Sequence, residues 1–135
     1  MADILKDKVA IITGAGSGIG KEMAILFGHE GAKLLLVDVV SERLEEVQAT
    51  LARDKIPVKA LAMDIRKEEN INSMITTAID TYGMINILCN NAGIMDGAMS
   101  VAETGDQLWD RVMDINLKAP VIIATLSFKI SAIRN

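Results

Sequence analysis

Lys8-Val9-Ala10-Ile11-Ile12-Thr13 runs straight into Gly14-Ala15-Gly16-Ser17-Gly18-Ile19-Gly20. The first run is apolar between a charge and a glycine and reads as a β-strand buried on both faces. The glycines that follow cost chain entropy, so they are expected where the backbone must turn tightly or be approached closely. Beyond them Ile19, Met23, Ala24 and Phe27 recur at helical spacing, with Leu26 beside them, and Gly28 and Gly31 mark the end of that helix. A strand, a glycine turn and a helix in this order form an anion site. The helix N-terminus offers free N–H groups and the positive end of its dipole.

The same alternation continues outward. Ala32–Val37 is a second buried strand closed by Asp38, and Pro57–Ala62 a third, with its proline at the start where a missing N–H is tolerated. Between them Ser41 caps a helix that turns Leu44, Val47 and Leu51 to one face. Residues 67–81 form another amphipathic helix with Ile71, Met74, Ile75 and Ala78 inward. Ile85–Cys89 is a fourth strand, followed by the loop Asn90-Asn91-Ala92-Gly93. Thr104-Gly105-Asp106-Gln107 reads as a capping box opening a long helix through Leu108, Val112 and Ile115. The order βαβαβαβα, joined by right-handed crossovers, implies an α/β fold: a doubly wound parallel sheet of the Rossmann type. By analogy with that fold the strand order is 3-2-1-4, and residues 1–135 make a single domain.

Composition narrows the function. Half the residues are hydrophobic but only 3% are aromatic, so the core is built from aliphatic side chains and the eight methionines. A net charge of −4 with no long basic run argues against a nucleic-acid groove and an anionic membrane surface. The start Met1-Ala2-Asp3-Ile4-Leu5-Lys6 is too short and acidic for a signal peptide, and no stretch approaches a membrane span. With Cys89 the sole cysteine, no disulfide can form within the chain, and the expected location is the cytoplasm. No metal site is expected.

Three motifs fall at strand carboxyl ends, where ligands bind in this fold. The turn departs from G-x-G-x-x-G because position 19 is Ile; the pattern present is Thr-Gly-x-x-x-Gly-x-Gly. Gly14 serves the tight turn, Gly18 the approach of backbone to a pyrophosphate, and Gly20 the close packing of helix on sheet, while Ser17 has a hydroxyl to donate. Asp38 is spaced to accept from ribose hydroxyls. Its carboxylate repels a 2′-phosphate, and Ala15, Val39 and Val40 supply no cation to reverse that, so the expected cofactor is NAD. The alternative for Asp38 is a surface residue beginning a turn. Asp64 is placed to accept from an adenine amino group with Ile65 covering the ring, and serves equally well as a helix cap. Small residues at Ala92 and Gly93 allow backbone contact with a cofactor, and the amides of Asn90 and Asn91 can tie strands together.

These residues, from 8 to about 120, resemble the classical short-chain dehydrogenase/reductase family, with the flavour of 3-oxoacyl-carrier-protein reductases and glucose or polyol dehydrogenases. The match rests on Thr13, Gly14, Gly18, Gly20, Asp38, Asp64, Asn90-Asn91-Ala92-Gly93 and Asn116. The resemblance implies hydride transfer between nicotinamide and a small alcohol or carbonyl substrate, served by Asn, Ser, Tyr and Lys through general acid–base chemistry. It makes Gly14, Ser17, Gly18, Ile19, Gly20, Asp38, Asp64, Ile65, Asn91, Ala92 and Gly93 the expected cofactor contacts and Asn116 the expected catalytic residue. Pro120 has no N–H for the Asn116 carbonyl four residues earlier, which predicts a kink there.

The departure from the family is the absence of Tyr-x-x-x-Lys. The one tyrosine, Tyr82, precedes the fourth strand and is expected to pack, not to react. Ser127-Phe128-Lys129 has the wrong residue and spacing for a catalytic group. His29 reads as a surface residue, Cys89 as a small buried hydrophobe, and Trp109 and the methionines as core or interface. The chain is therefore expected to carry the cofactor half of such an enzyme, inactive by itself, as part of a longer protein or as an obligate homo-oligomer. The competing readings are a dinucleotide-binding or interaction module without catalysis, and an inert truncation product.

Overall fold

A computed structural model of the protein describes residues 3–94, 97, 100 and 102–134. The parallel sheet has the order β3-β2-β1-β4, formed by β1 (Val9–Thr13), β2 (Lys33–Asp38), β3 (Val58–Ala62) and β4 (Ile87–Cys89). β1 lies at the centre, pairing Val9 through Thr13 with Lys33 through Val37 on one side and Ala10 through Ile12 with Ile87 through Cys89 on the other. β4 is shorter than the sequence predicts. Before it, Asn86 bends toward the start of β1, where its side-chain oxygen accepts from the Val9 N–H at 2.8 Å.

Period-two alternation divides the apolar residues into two cores. Ala10, Ile12, Leu34 and Leu36 meet Ala24 of α1 (Gly18–His29) and Leu44, Val47 and Leu51 of α2 (Ser41–Arg53). Ile11, Leu35 and Val37 meet Ile71, Met74, Ile75 and Ala78 of α3 (Glu68–Tyr82), together with Ile123 of α5 (Ala119–Arg134). Helices on both faces give the doubly wound arrangement.

Several local expectations are corrected. Ser41 is not a cap: Val40 is the N-cap of α2, held by its own N–H to Asp38 Oδ1 at 3.0 Å, so Ser41 already lies in the helix. The capping box does not form at α4 (Asp106–Met113), because Gly105 is the N-cap and the Thr104 hydroxyl donates instead to the Ser100 carbonyl. Gly28 does not end α1 but lies within its last turn, where a Cβ would stand 2.8 Å from Ile56. Gly31, at φ +94°, makes the reversal beyond it. Ile19 is 73% exposed and so does not face the core.

α4 continues into α5 through a π-helical turn, Asp114–Lys118, in which the Ala119 N–H donates to the Asp114 carbonyl five residues back. Thus the disturbance expected from Pro120 is present, as a change of hydrogen-bond register. Of the methionines, Met74 is core and Met84 is half exposed, while Met1, Met95 and Met99 lie outside the described residues, as does Ala2 of the N-terminal stretch. No described helix is long and apolar enough to cross a membrane.

Candidate functional site

The carboxyl ends of all four strands open on one cleft with a cavity volume of about 330 Å³. Its floor is the glycine turn. Gly14 takes φ +65° and Gly18 φ +55°, conformations that L side chains rarely adopt. The turn is pinned to β2 by the Ala15 N–H, which donates to the Val37 carbonyl at 3.1 Å. A Cβ on Gly20 would lie 2.2 Å from the Gly14 carbonyl oxygen and 2.5 Å from the Asn91 amide nitrogen, so α1 seats on the turn only with glycine there. By contrast a Cβ on Gly18 would meet nothing within 4 Å, leaving the backbone at the start of α1 open to a ligand. Ser17, the N-cap of α1, makes no side-chain cap bond and lines the cleft.

Thr13 fastens β4 to this turn. Its hydroxyl oxygen accepts the N–H groups of Asn91 and Ala92, each at 3.1 Å, and donates to the Cys89 carbonyl at 3.4 Å. The Asn91 amide donates to the Gly14 carbonyl at 3.2 Å, and the Asn90 amide reaches the Pro120 carbonyl at 3.4 Å. The Asn91 amide thus ties the loop after β4 to the end of β1, whereas the Asn90 amide ties it to the helix α5 and not to a strand. Asn116 braces the same loop from the π-helical turn: its side-chain oxygen accepts from the Ile94 N–H and its nitrogen donates to the Ile94 carbonyl, both at 2.8 Å. With both ends of the amide engaged, Asn116 acts on the loop's position.

At the end of β2, Asp38 accepts the Gly16 N–H at 2.8 Å on one oxygen and the Val40 N–H at 3.0 Å on the other. Each oxygen retains a lone pair for a further donor. The sequence neighbours supply no cation, but the fold does: Arg43, in the first turn of α2, lines the cleft. At the end of β3, Ile65 is buried and Asp64 does not cap α3, whose N-cap is Lys67. Asp64 is instead ion-paired to Arg66 at 2.6 Å. The Arg66 hydrogen bonds hold its carboxyl below the ordinary value of 3.8.

The cleft thus gathers Gly14, Ser17, Asp38, Asp64, Ile65, Asn91, Ala92 and Gly93 from the sequence-based set; Gly18, Ile19 and Gly20 lie in α1 beside it and do not line it. Sequence reasoning missed Arg43, Arg66 and Arg111. Arg66 stands two residues past Asp64, a proximity that leaves the direction of its guanidinium open, and Arg43 and Arg111 carry no local signal. In a chain of net charge −4, the lining holds three arginines against two aspartates, a balance suited to a polyanion.

Away from the cleft, Tyr82 packs as expected, whereas Cys89 is less buried than its sequence reading implies. The Tyr82 hydroxyl donates to the Leu34 carbonyl at 3.0 Å, near the amino end of β2, and burial raises its pKa. His29 is exposed and pairs with Asp54 at 2.9 Å. Cys89 is part-buried, and burial raises its thiol pKa. Ser127 is buried in α5 beside an exposed Phe128. The described residues contain no cluster of acidic, His and Cys side chains able to hold a metal.

The model of the short chain dehydrogenase family matches residues 8–130. The chain belongs to the short-chain dehydrogenase/reductase family. An uncharacterized oxidoreductase of Staphylococcus saprophyticus is 39% identical over 114 residues, covering 84% of this chain and 45% of the relative. Levodione reductase superposes with a TM-score of 0.87 at 32% identity, covering 92% of this chain and 49% of that one. A 3-ketoacyl-(acyl-carrier-protein) reductase from Brucella melitensis, crystallised with NADH, gives 0.83 at 33% identity, covering 90% and 49%. This chain therefore spans about half the length of the family members it matches.

Proposed function

We propose that residues 1–135 form an NAD-binding domain of a family oxidoreductase that moves hydride between nicotinamide and a small alcohol or carbonyl substrate. The observation that carries the cofactor reading is Asp38, anchored by two backbone N–H groups at the lip of the glycine turn. Its remaining lone pairs suit ribose hydroxyls, and its charge opposes a 2′-phosphate. The fit is supported by the open backbone at Gly18, the free Ser17 hydroxyl and the arginine-rich lining. Phosphates would lie against the N-terminus of α1. Bound there, the cofactor supplies the hydride acceptor or donor. Asn116 is a positioning residue that fixes the loop after β4 through Ile94. A tyrosine acid–base group is not contributed by Tyr82, whose hydroxyl is spent on Leu34. We infer that these 135 residues bind the cofactor without turning over substrate, and that copies associate through α4 and α5.

Dissociation constants measured by reduced-nicotinamide fluorescence test the reading. NADH is expected to bind at least about tenfold tighter than NADPH, and Asp38→Ala to remove that preference, since tenfold corresponds to about 1.4 kcal/mol. Equal or tighter binding of NADPH would mean that Arg43 outweighs Asp38. Turnover of a carbonyl panel by the 135 residues alone would refute the role given to Tyr82.

A further inference from the structure

In the pattern Thr-Gly-x-x-x-Gly-x-Gly, Gly16 fills an open position, and unlike Gly14 and Gly18 it does not take a positive φ. Neither the motif nor the backbone conformation calls for glycine there. The demand comes from Asp38. The Gly16 N–H donates to Asp38 Oδ2 at 2.8 Å, and a Cβ on Gly16 would stand 2.8 Å from that same oxygen, 3.0 Å from Asp38 Cγ and 3.2 Å from Cβ of Arg43. The carboxylate thus rests against a bare α-carbon, the close approach that only glycine permits. Any side chain at position 16 obliges the carboxylate to move. The atoms that must move are the end of a short side chain, so the fold gives way there at little cost.

Resting on the dinucleotide reading above, we propose that Gly16 is a positioning residue for cofactor choice. By lacking a side chain it sets Asp38 where each oxygen holds one backbone N–H and keeps a lone pair for the ribose hydroxyls. Gly16 therefore carries part of the preference for NADH over NADPH, acting through the carboxylate.

The test adds one methyl group. Dissociation constants for NADH and NADPH are measured by nicotinamide fluorescence for the protein, Gly16→Ala, Asp38→Ala and the double variant. Gly16→Ala is expected to lower the preference for NADH at least about threefold, mainly by weakening NADH. In the Asp38→Ala background the same methyl has no carboxylate to displace, and the preference is expected to stay within about twofold. The unliganded protein gives a second readout. The Val40 N–H donates to the other Asp38 oxygen, and in Gly16→Ala its hydrogen exchange is expected to quicken while the amides of β1 keep their protection. A preference that Gly16→Ala leaves unmoved overturns the proposal, as does an equal change in both backgrounds. If Gly16→Ala alone fails to fold, the double variant is expected to fold, and its failure too would overturn the proposal. If the unsubstituted protein binds neither nucleotide, or both alike, the dinucleotide reading or the role of Asp38 fails first, and this proposal with it.

Discussion

Thr13 is the smallest group on which the site depends. One hydroxyl receives two N–H donors and gives its own proton to Cys89, which locks the loop after β4 to the end of β1. Thr13→Val keeps the shape and leaves the Asn91 and Ala92 N–H groups without that acceptor. The expected loss is about 1–3 kcal/mol, read from the urea midpoint. Asp64 gives a prediction with a defined sign. Its folded pKa is depressed by Arg66, so its contribution to stability is present above the ordinary value of 3.8 and is lost as pH falls through the folded value. A carboxyl carbon NMR titration should place the Asp64 midpoint below 3.8, and Arg66→Ala should bring it back up. The positions of Asp38 at the end of β2 and of the glycines at the turn into α1 were legible in the sequence because they depend on spacing alone. The pairing of Asp64 with Arg66 was not, because it depends on where an arginine two residues away points its guanidinium.

Among the elements, the π-helical turn is the one with a mechanical task. Its wider ring sits where Pro120 leaves the Asn116 carbonyl without its usual donor, and from it Asn116 clasps both backbone groups of Ile94. Asn116→Ala removes both bonds at once. The Ile94 amide is then expected to exchange hydrogen about tenfold faster, measured by NMR, while the amides of β1 keep their protection. The hydrophobic spacing foretold all four strands and the inward faces of α2 and α3, since burial follows a simple period. It misplaced the starts of α2 and α4. There the deciding bonds come from Asp38 and Ser100, which compete with the serine and threonine expected to cap.

Over the whole molecule, apolar surface remains on one flank. Trp109, Leu117, Val121 and Phe128 are each more than half exposed along α4, the π-helical turn and α5. Burial of such side chains drives association. Light scattering is expected to show oligomers, and Val121→Glu combined with Phe128→Glu to dissociate them; a monomer at micromolar concentration before substitution would end this reading. Family resemblance made that flank legible in outline, but which side chains stand proud of it required the fold.

The central place of β1 also bears on how the chain is made. Its partner on one side, β2, ends at Asp38, but its partner on the other, β4, begins at Ile87. At a synthesis rate of about 5–20 residues per second, the roughly fifty residues between them take several seconds to emerge. Throughout that interval the far side of Ala10–Ile12 is an apolar edge still waiting for the strand that will close it. A ribosome-bound chain arrested before Ile87 is thus the form of this protein most in need of a chaperone.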